Sequence, residues 1–342
     1  MNTRTVLILG AQGRFGGAAA QAFAAAGWRV LAQARRGDGM LQLPLTDTEG
    51  LVDVARGASA VVYAVNPLYT RWDAEMLPLA RAGMAVAERL GATFMLPGNV
   101  YAYGEGMPVR LDETTPEHPS TSKGRLRQQL ETELAERAQR GLTSAPRPAG
   151  PAVPRGDLSS PAKPDRLKSV IIRAGDFYGH GRGSWIDLLI AKKLAAGRLT
   201  YPGPLDVPHA WAYLPDLARA FVAVASADGL SDHERLHFAG HTLTGRQLLD
   251  AIEAAARQVG ITRSIRRSRM AWWPLQIGGL VVPMLRELSR MSYLWQVPHE
   301  LDGRRLAQRV GALPMTPVDV ALRRTLLDLG HGAATAPAQV VA

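Results

Sequence analysis

TVLILGAQGRFGGAAAQAF, residues 5–23, decides the fold. Thr5–Leu9 is a short apolar run that reads as a fully buried strand. Gly10, Gly13 and Gly16 follow at three-residue spacing, and the alanine-rich stretch 18–26 then reads as a helix closed by Gly27. A strand, a glycine-rich turn and a helix in this order suit one ligand chemistry. Backbone without Cβ lets the chain approach a pyrophosphate, and the helix N-terminus offers free N–H groups and a positive dipole end to that anion. Gly10, Gln12, Gly13, Arg14, Phe15 and Gly16 are therefore the expected dinucleotide-binding residues.

The same alternation continues outward. Strands are expected at 28–34, 60–65, 93–96 and 169–173, with helices at 46–56, 74–90 and 123–140. Such a series implies parallel βαβ units. The predicted fold class is α/β: a Rossmann-type doubly wound parallel sheet with a smaller C-terminal substrate lobe. Residues 1–175 are expected to form the dinucleotide-binding domain, with 141–168, rich in Pro, Ser, Ala and Gly, as a flexible insertion. Residues 176–330 are expected to form the substrate lobe, interleaved with late Rossmann elements at 211–240, and 331–342 a frayed tail. Helices are expected near 186–196 and 215–225, and a strand at 236–239. Thr244 with Gln247 has the spacing of a capping box, and Thr316 with Pro317 is read as starting the last helix in the same way.

Cofactor choice rests on the end of the second strand. NAD binders place a carboxylate there for the ribose 2′-hydroxyl. This chain has Gln33, Ala34, Arg35 and Arg36 instead, and its next carboxylate is Asp38, past a glycine. Arg35, Arg36 and Arg14 suit a 2′-phosphate, so NADP is expected over NAD.

Composition narrows the partners. The 342 residues carry a formal net charge of +10, with 40 basic residues of which only five are lysine. That charge is scattered, with one dense spot at Arg263, Arg266, Arg267 and Arg269, so nucleic acid is not the expected partner. There is no cysteine, which excludes disulfides, thiolate metal sites and thiol nucleophiles. The longest apolar stretch, 270–285, is broken by Pro274, Gln276, Gly278, Gly279 and Pro283 and is too short to span a bilayer. With no signal-peptide pattern, a cytoplasmic location is expected. Between a membrane-surface or partner patch and a lobe that packs Trp272 and Trp273 over the cleft with its arginines in solvent, the second is expected for 263–285, the same arginines being also open to an anionic substrate. His233, His237 and His241 recur every four residues but on a strand would span about 13 Å, too far for one metal ion. No metal site is expected. His209, in a Pro-His-Ala-Trp segment, is a candidate cleft residue.

Taken together, Gly10-x-x-Gly13-x-x-Gly16, the strand at 60–65, Asn99–Gly104 (NVYAYG), Arg173–Gly181 (RAGDFYGHG) and the segment around Asp216 resemble the short-chain dehydrogenase/reductase superfamily in its extended, nucleotide-sugar epimerase/dehydratase form. The resemblance spans nearly the whole chain. It implies an NAD(P)-dependent oxidoreductase or epimerase, with Ala64, Asn66 and Arg127 at cofactor-facing positions. In that family a Ser or Thr, a Tyr and a Lys do the chemistry. Their registers here hold Asn99, Lys123 and Arg127, and Glu131 stands at the family's Glu position. The segment after the 60–65 strand, Asn66-Pro67-x-Tyr69-x-x-Trp72, is also unusual. The standard triad is absent, and the candidate catalytic residues become Asn99, Tyr101 and Lys123, Asn99 polarising an oxygen and Lys123 or Tyr101 handling a proton. The expected substrate is a small carbonyl or hydroxyl compound or a nucleotide-sugar-like molecule. The alternative is a non-catalytic NADP-binding sensor. A homodimer is left open.

Overall fold

The computed structural model describes residues 3–143 and 167–332. The expected Pro-rich insertion, apart from its edges, and the expected tail beyond 332 lie outside the described residues. The chain begins β1 (Thr5–Leu9), α1 (Arg14–Ala25), β2 (Arg29–Gln33), α2 (Thr48–Val54), β3 (Ala58–Tyr63), α3 (Trp72–Leu90), β4 (Thr93–Gly98), β5 (Arg110–Leu111), α4 (Ser122–Thr143) and β6 (Lys168–Arg173). It continues with β7 (Asp176–Tyr178), β8 (Arg198–Tyr201), β9 (Pro208–Tyr213), α5 (Leu214–Ser226), β10 (His233–His237), β11 (His241–Thr244) and α6 (Gly245–Gln258). Last come β12 (Arg266–Arg269), α7 (Trp273–Gly278), α8 (Pro283–Arg290), β13 (Glu300–Leu301), α9 (Arg304–Val310) and α10 (Val318–Asp328).

Six strands form one parallel sheet in the order β10-β6-β4-β3-β1-β2. After β2 the chain crosses back over β1 to build β3, so the topology reverses between β1 and β3. Beyond β2 only Leu41 continues the sheet, through a single parallel bridge to Gln33. Both faces of β1 are covered, which is why its sequence is uninterrupted apolar. Val6 and Ile8 pack with Ala19, Phe23 and Phe221 of α1 and α5. Leu7 and Leu9 pack with Leu51, Met84 and Leu130 of α2, α3 and α4. A third cluster of buried residues, including Trp211, Ile252, Trp295 and Leu322, is built from residues 178–329.

The Rossmann-type fold expected from residues 5–23 is the one observed, with local departures. α1 starts at Arg14, before the alanine run, because Gly13 with extended backbone is its N-cap. The helix expected at 186–196 is instead a wide turn at Ile186–Ile190, with Ala191 N–H bonded to Ile186 O, and a short turn at Leu194–Ala196. The wide turn keeps Ile186, Ile190, Ala191 and Leu194 all buried. Thr244 and Gln247 form the full capping box, with reciprocal bonds of 3.2 and 2.9 Å. Thr316 does not cap the last helix. Its N–H and hydroxyl both donate to the buried Asp216, each at 2.7 Å, and Pro317 takes the N-cap position. Trp272 and Trp273 also part company. The Trp272 indole donates to Pro202 O at 2.6 Å, while Trp273 is 65% exposed, because neighbours on one helical turn cannot share a face.

Asp216 also accepts from Arg219 at 2.6 Å, so one carboxylate ties α5 to the start of α10. Asp216→Ala strands two buried donors of Thr316, and urea unfolding is expected to show a loss of about 2–4 kcal/mol. A loss below about 1 kcal/mol contradicts this role.

Candidate active site

Close packing shapes the turn after β1. Gly10 has φ +80°, and a Cβ there would lie 3.0 Å from Val65 Cγ2 and 3.1 Å from the Ala64 carbonyl carbon. A Cβ on Gly16 would collide with Gly10 O. The N–H groups of Gly10 and Ala11 donate to Gln33 O, and the Gln33 side chain accepts from Gly10 N–H at 3.1 Å while donating to Leu43 O at 2.7 Å. Gly13 caps α1 without a side-chain acceptor, so the first N–H groups of the helix point at the position an anion takes.

The remaining expected cofactor residues divide. Gln12 and Asn66 are exposed at the rim. Ala64 contributes backbone, its N–H bonding Leu9 O at 2.8 Å. Phe15 buries its ring against Phe221, centroids 4.8 Å apart, and leaves only its N–H to the turn. Arg14 directs its guanidinium to the carbonyls of Phe177, Gly179 and Gly183 at 3.2, 3.0 and 3.3 Å, and so staples the turn to the segment after β6. Arg35 and Arg36 are exposed and have no partner among the described residues. Arg127, on α4, reaches only Pro97 O at 3.5 Å, lies over the Trp72 ring at 5.0 Å, and has a buried Nε without a partner. A guanidinium with one unpartnered N–H beside the end of β4 fits a ribose hydroxyl, and the glycine cradle fits a pyrophosphate.

The residues that the resemblance puts at the triad registers are placed as follows. Lys123 is 1% exposed. Its ammonium donates to Tyr69 O at 2.7 Å and pairs with Glu287 of α8 at 3.0 Å. Asn99 turns its carbonyl oxygen to Tyr101 N–H at 3.0 Å, and its NH2 group has no partner among the described residues. The Tyr101 and Tyr69 hydroxyls bond each other at 2.7 Å. Burial raises both phenols above their ordinary range, so each keeps its proton. Tyr69 comes from the unusual segment after β3. Its sequence was a visible signal, but its partner Tyr101 lies on another loop.

A second pair carries the most distinctive chemistry. Asp176 Oδ2 and His209 Nε2 are 2.9 Å apart, and His209 Nδ1 faces Leu294 O at 3.2 Å. The His209 ring stacks on Trp295 at 4.4 Å with 3° between planes, and His299 meets it edge-on at 4.6 Å. Both ring nitrogens thus face oxygen acceptors. Asp176 Oδ1 has no partner among the described residues. The field of Asp176 reaches Tyr69, Tyr101, Tyr201 and Tyr293, adding to the burial that raises all four. His209 is among the residues singled out from sequence. Asp176 is not, although it stands in the quoted Arg173–Gly181 motif.

Of the histidines spaced every four residues, His233 bonds Ser169 at 2.8 Å and the other two are held by local hydrogen bonds. His237 donates from Nδ1 to Leu111 O at 3.1 Å and accepts the Tyr103 hydroxyl at 2.9 Å, and His241 bonds Tyr178 and Thr316. Among the described residues no group of three or more His, Cys, Asp or Glu could hold a metal ion.

No protein-family model matches the sequence, and no curated protein matches it by sequence. Solved structures do match. UDP-glucose 4-epimerase from Thermotoga maritima is similar over 95% of this chain and 98% of its own, with TM-score 0.68 and 14% identity. L-threonine dehydrogenase from Clostridium difficile is similar over 96% and 98%, with TM-score 0.68 and 14% identity. MoeE5 in complex with UDP-glucose and NAD is similar over 95% and 98%, with TM-score 0.68 and 17% identity. The chain has the fold of these epimerases and dehydrogenases.

Two outcomes test the site's electrostatics. Lys123→Met leaves the buried Glu287 with only the 3.4 Å Arg290 contact and is expected to cost about 3 kcal/mol in chemical unfolding, much of it recovered by Lys123→Met with Glu287→Met. Additive effects would show that the pair is not coupled. Burial lowers His237 to about 4 and His299 to about 3, both below the ordinary 6.5. Above pH 6.5 neither contributes to pH dependence. From there toward pH 4 the unfolded chain binds protons that the folded chain refuses, so stability falls on acidification. Each histidine contributes at most about 1.4 kcal/mol per pH unit. His237→Gln is expected to flatten this slope in pH-dependent urea unfolding, and an unchanged slope contradicts the assignment.

Proposed function

We propose that this protein is an atypical member of the extended short-chain dehydrogenase/reductase superfamily, an NADP-dependent oxidoreductase or epimerase acting on a nucleotide-sugar-like or small carbonyl/hydroxyl substrate. One observation carries the reading. The Gly10–Gly16 cradle, Asn99, Tyr101 and Asp176 all follow the carboxyl ends of strands in one parallel sheet whose order reverses between β1 and β3. In such sheets the crevice outside that reversal takes the ligand. The UDP-glucose in the MoeE5 and Thermotoga maritima structures supports the nucleotide-sugar class.

The α1 N-terminus and the glycine turn bind the pyrophosphate, and Arg127 donates to a ribose hydroxyl. Arg35 and Arg36, unpartnered and exposed beside β2, receive the 2′-phosphate, which favours NADP over NAD. When bound, the nicotinamide dinucleotide exchanges a hydride at its ring C4 with a substrate carbon. The Asn99 NH2 group donates to the substrate oxygen and steadies the charge that develops there. The proton at that oxygen moves through Asp176 Oδ1, backed by the His209 ring, or through the hydroxyl of Tyr101. Lys123, closed in by Tyr69 O and Glu287, holds the walls of the site together. Its closure is also what favours the second reading, a sensor that binds NADP without turnover.

In fluorescence titrations NADPH is expected to bind at least about tenfold more tightly than NADH. Arg35→Ser with Arg36→Ser is expected to abolish that preference while leaving NADH within about threefold. Equal affinities before substitution would remove the NADP assignment. Asp176→Asn is expected to lower kcat on a responsive carbonyl or nucleotide-sugar substrate by about 10²-fold or more, with NADPH affinity unchanged. NADPH binding without turnover across such a panel would favour the sensor.

A further inference from the structure

The α7–α8 hairpin carries chemistry that the site does not use. Its outer side exposes Trp273, Ile277, Leu280, Val281 and Val282, with Leu280 and Val281 83% and 85% exposed. Exposed apolar side chains are common singly, but five within ten residues form a patch. The tip is also stiff. A Cβ on Gly279 would lie 2.9 Å from Arg286 Cα and one on Gly278 2.7 Å from Leu285 Cδ1, so the two short helices close directly on glycine.

Backbone hydrogen bonding sets this tip apart from an ordinary loop. Gly279 N–H bonds Leu275 O at 2.8 Å, Leu280 N–H bonds Ile277 O at 3.1 Å, and Val281 and Val282 N–H both bond Gly278 O, at 3.2 and 2.8 Å. Residue 283 is proline and has no N–H. The tip's N–H groups are therefore satisfied, while the carbonyls of Gly279, Leu280 and Val281 accept no backbone bond among the described residues, an arrangement that suits the partly hydrated headgroup boundary.

The chain on either side of the tip is rich in arginine. Residues 262–290 contain Arg263, Arg266, Arg267, Arg269, Arg286 and Arg290, and Glu287 as their one carboxylate. Glu287 is buried and turned inward on Lys123. Arg267 is neutralised by Asp250 and Glu253, but Arg266, Arg269 and Arg286 are exposed and have no ion-pair partner among the described residues.

We propose that this tip docks the protein reversibly on an anionic lipid surface. Leu280, Val281, Val282 and Ile277 enter the boundary between headgroups and acyl chains, about 5–10 Å deep, and Trp273 sits at the headgroup level. Arg266, Arg269 and Arg286 meet the lipid phosphates. Exposed apolar side chains flanked by unpaired arginines suit an anionic lipid surface. No helix of the described residues is long and apolar enough to cross a membrane, so the contact is one of surface attachment. Apolar insertion and arginine contact reinforce each other, which makes the attachment dependent on both lipid charge and salt.

Vesicle sedimentation of the full chain tests this. The probes are phosphatidylcholine vesicles and vesicles with about one part in three phosphatidylglycerol. Wild-type protein is expected to partition at least about tenfold more strongly onto the anionic vesicles, and to release when sodium chloride is raised to about 0.5 M. Leu280→Ser with Val281→Ser, and separately Arg266→Ser with Arg269→Ser and Arg286→Ser, are each expected to reduce anionic partitioning about tenfold or more. All five side chains are exposed, so circular dichroism and NADPH affinity should remain those of wild type. Absence of wild-type binding to anionic vesicles overturns the proposal, as does equal binding by the Leu280→Ser/Val281→Ser variant. A dimer in sedimentation velocity that this variant splits also overturns it, because the tip then belongs to a second copy of the chain.

Discussion

The Arg173 guanidinium, at the end of β6 and 1% exposed, is the contact on which the rest of the site depends. Its Nε donates to Glu131 of α4 at 3.0 Å, its Nη2 pairs with both Glu131 and Glu117, and its plane lies 4.8 Å from the Tyr103 ring. Its carbonyl accepts Phe238 N–H at 2.8 Å. Burial opposes the charge, and Glu131, Tyr103 and Glu117 together outweigh it, so the pKa is raised. A buried cation is tolerated only with such partners. Because Glu131 anchors α4, Arg127 and Lys123, one and two turns earlier on the same helical face, are fixed against β4 and Tyr69. Asp176 follows Arg173 by three residues and inherits the same anchoring.

Two cations at the registers of the family's Tyr and Lys alter the packing around them. An ammonium at position 123 requires an anion, which α8 supplies as Glu287. A neutral phenol at that position would have made no such demand. The two phenols of the site instead come from Tyr69 and Tyr101, on loops after β3 and β4. The Asp176–His209 pair joins two segments that both carry the resemblance, across 33 residues. The α8 helix that closes over Lys123 is continuous with the exposed tip at 279–282, so the site and the outer surface share one hairpin.

Much of this molecule was legible in its residues. The strand–turn–helix order from Thr5, the glycine spacing and the capping box at Thr244 depend on neighbours a few residues apart, and their patterns survive without tertiary context. Orientation was not legible. Trp273 turns outward although its composition matches Trp272, and Thr316 has the pattern of a helix cap but serves Asp216, because a buried carboxylate is a stronger acceptor than helix ends are donors. Arg14 reads as a phosphate ligand, yet its guanidinium bonds carbonyls 163–169 residues away in the chain.

The sequence by itself determined the parallel α/β frame, the cradle that needs Gly10 and Gly16, and the absence of the usual Tyr and Lys. Those are matters of local periodicity and of which side chains exist. Tertiary structure alone decided which groups meet. Lys123 finds Tyr69 across 54 residues, and His209 finds Asp176 across 33. No short-range pattern constrains such pairs. They form because burying a charge in the crevice is tolerable only beside its complement, and the fold chooses which complement is near.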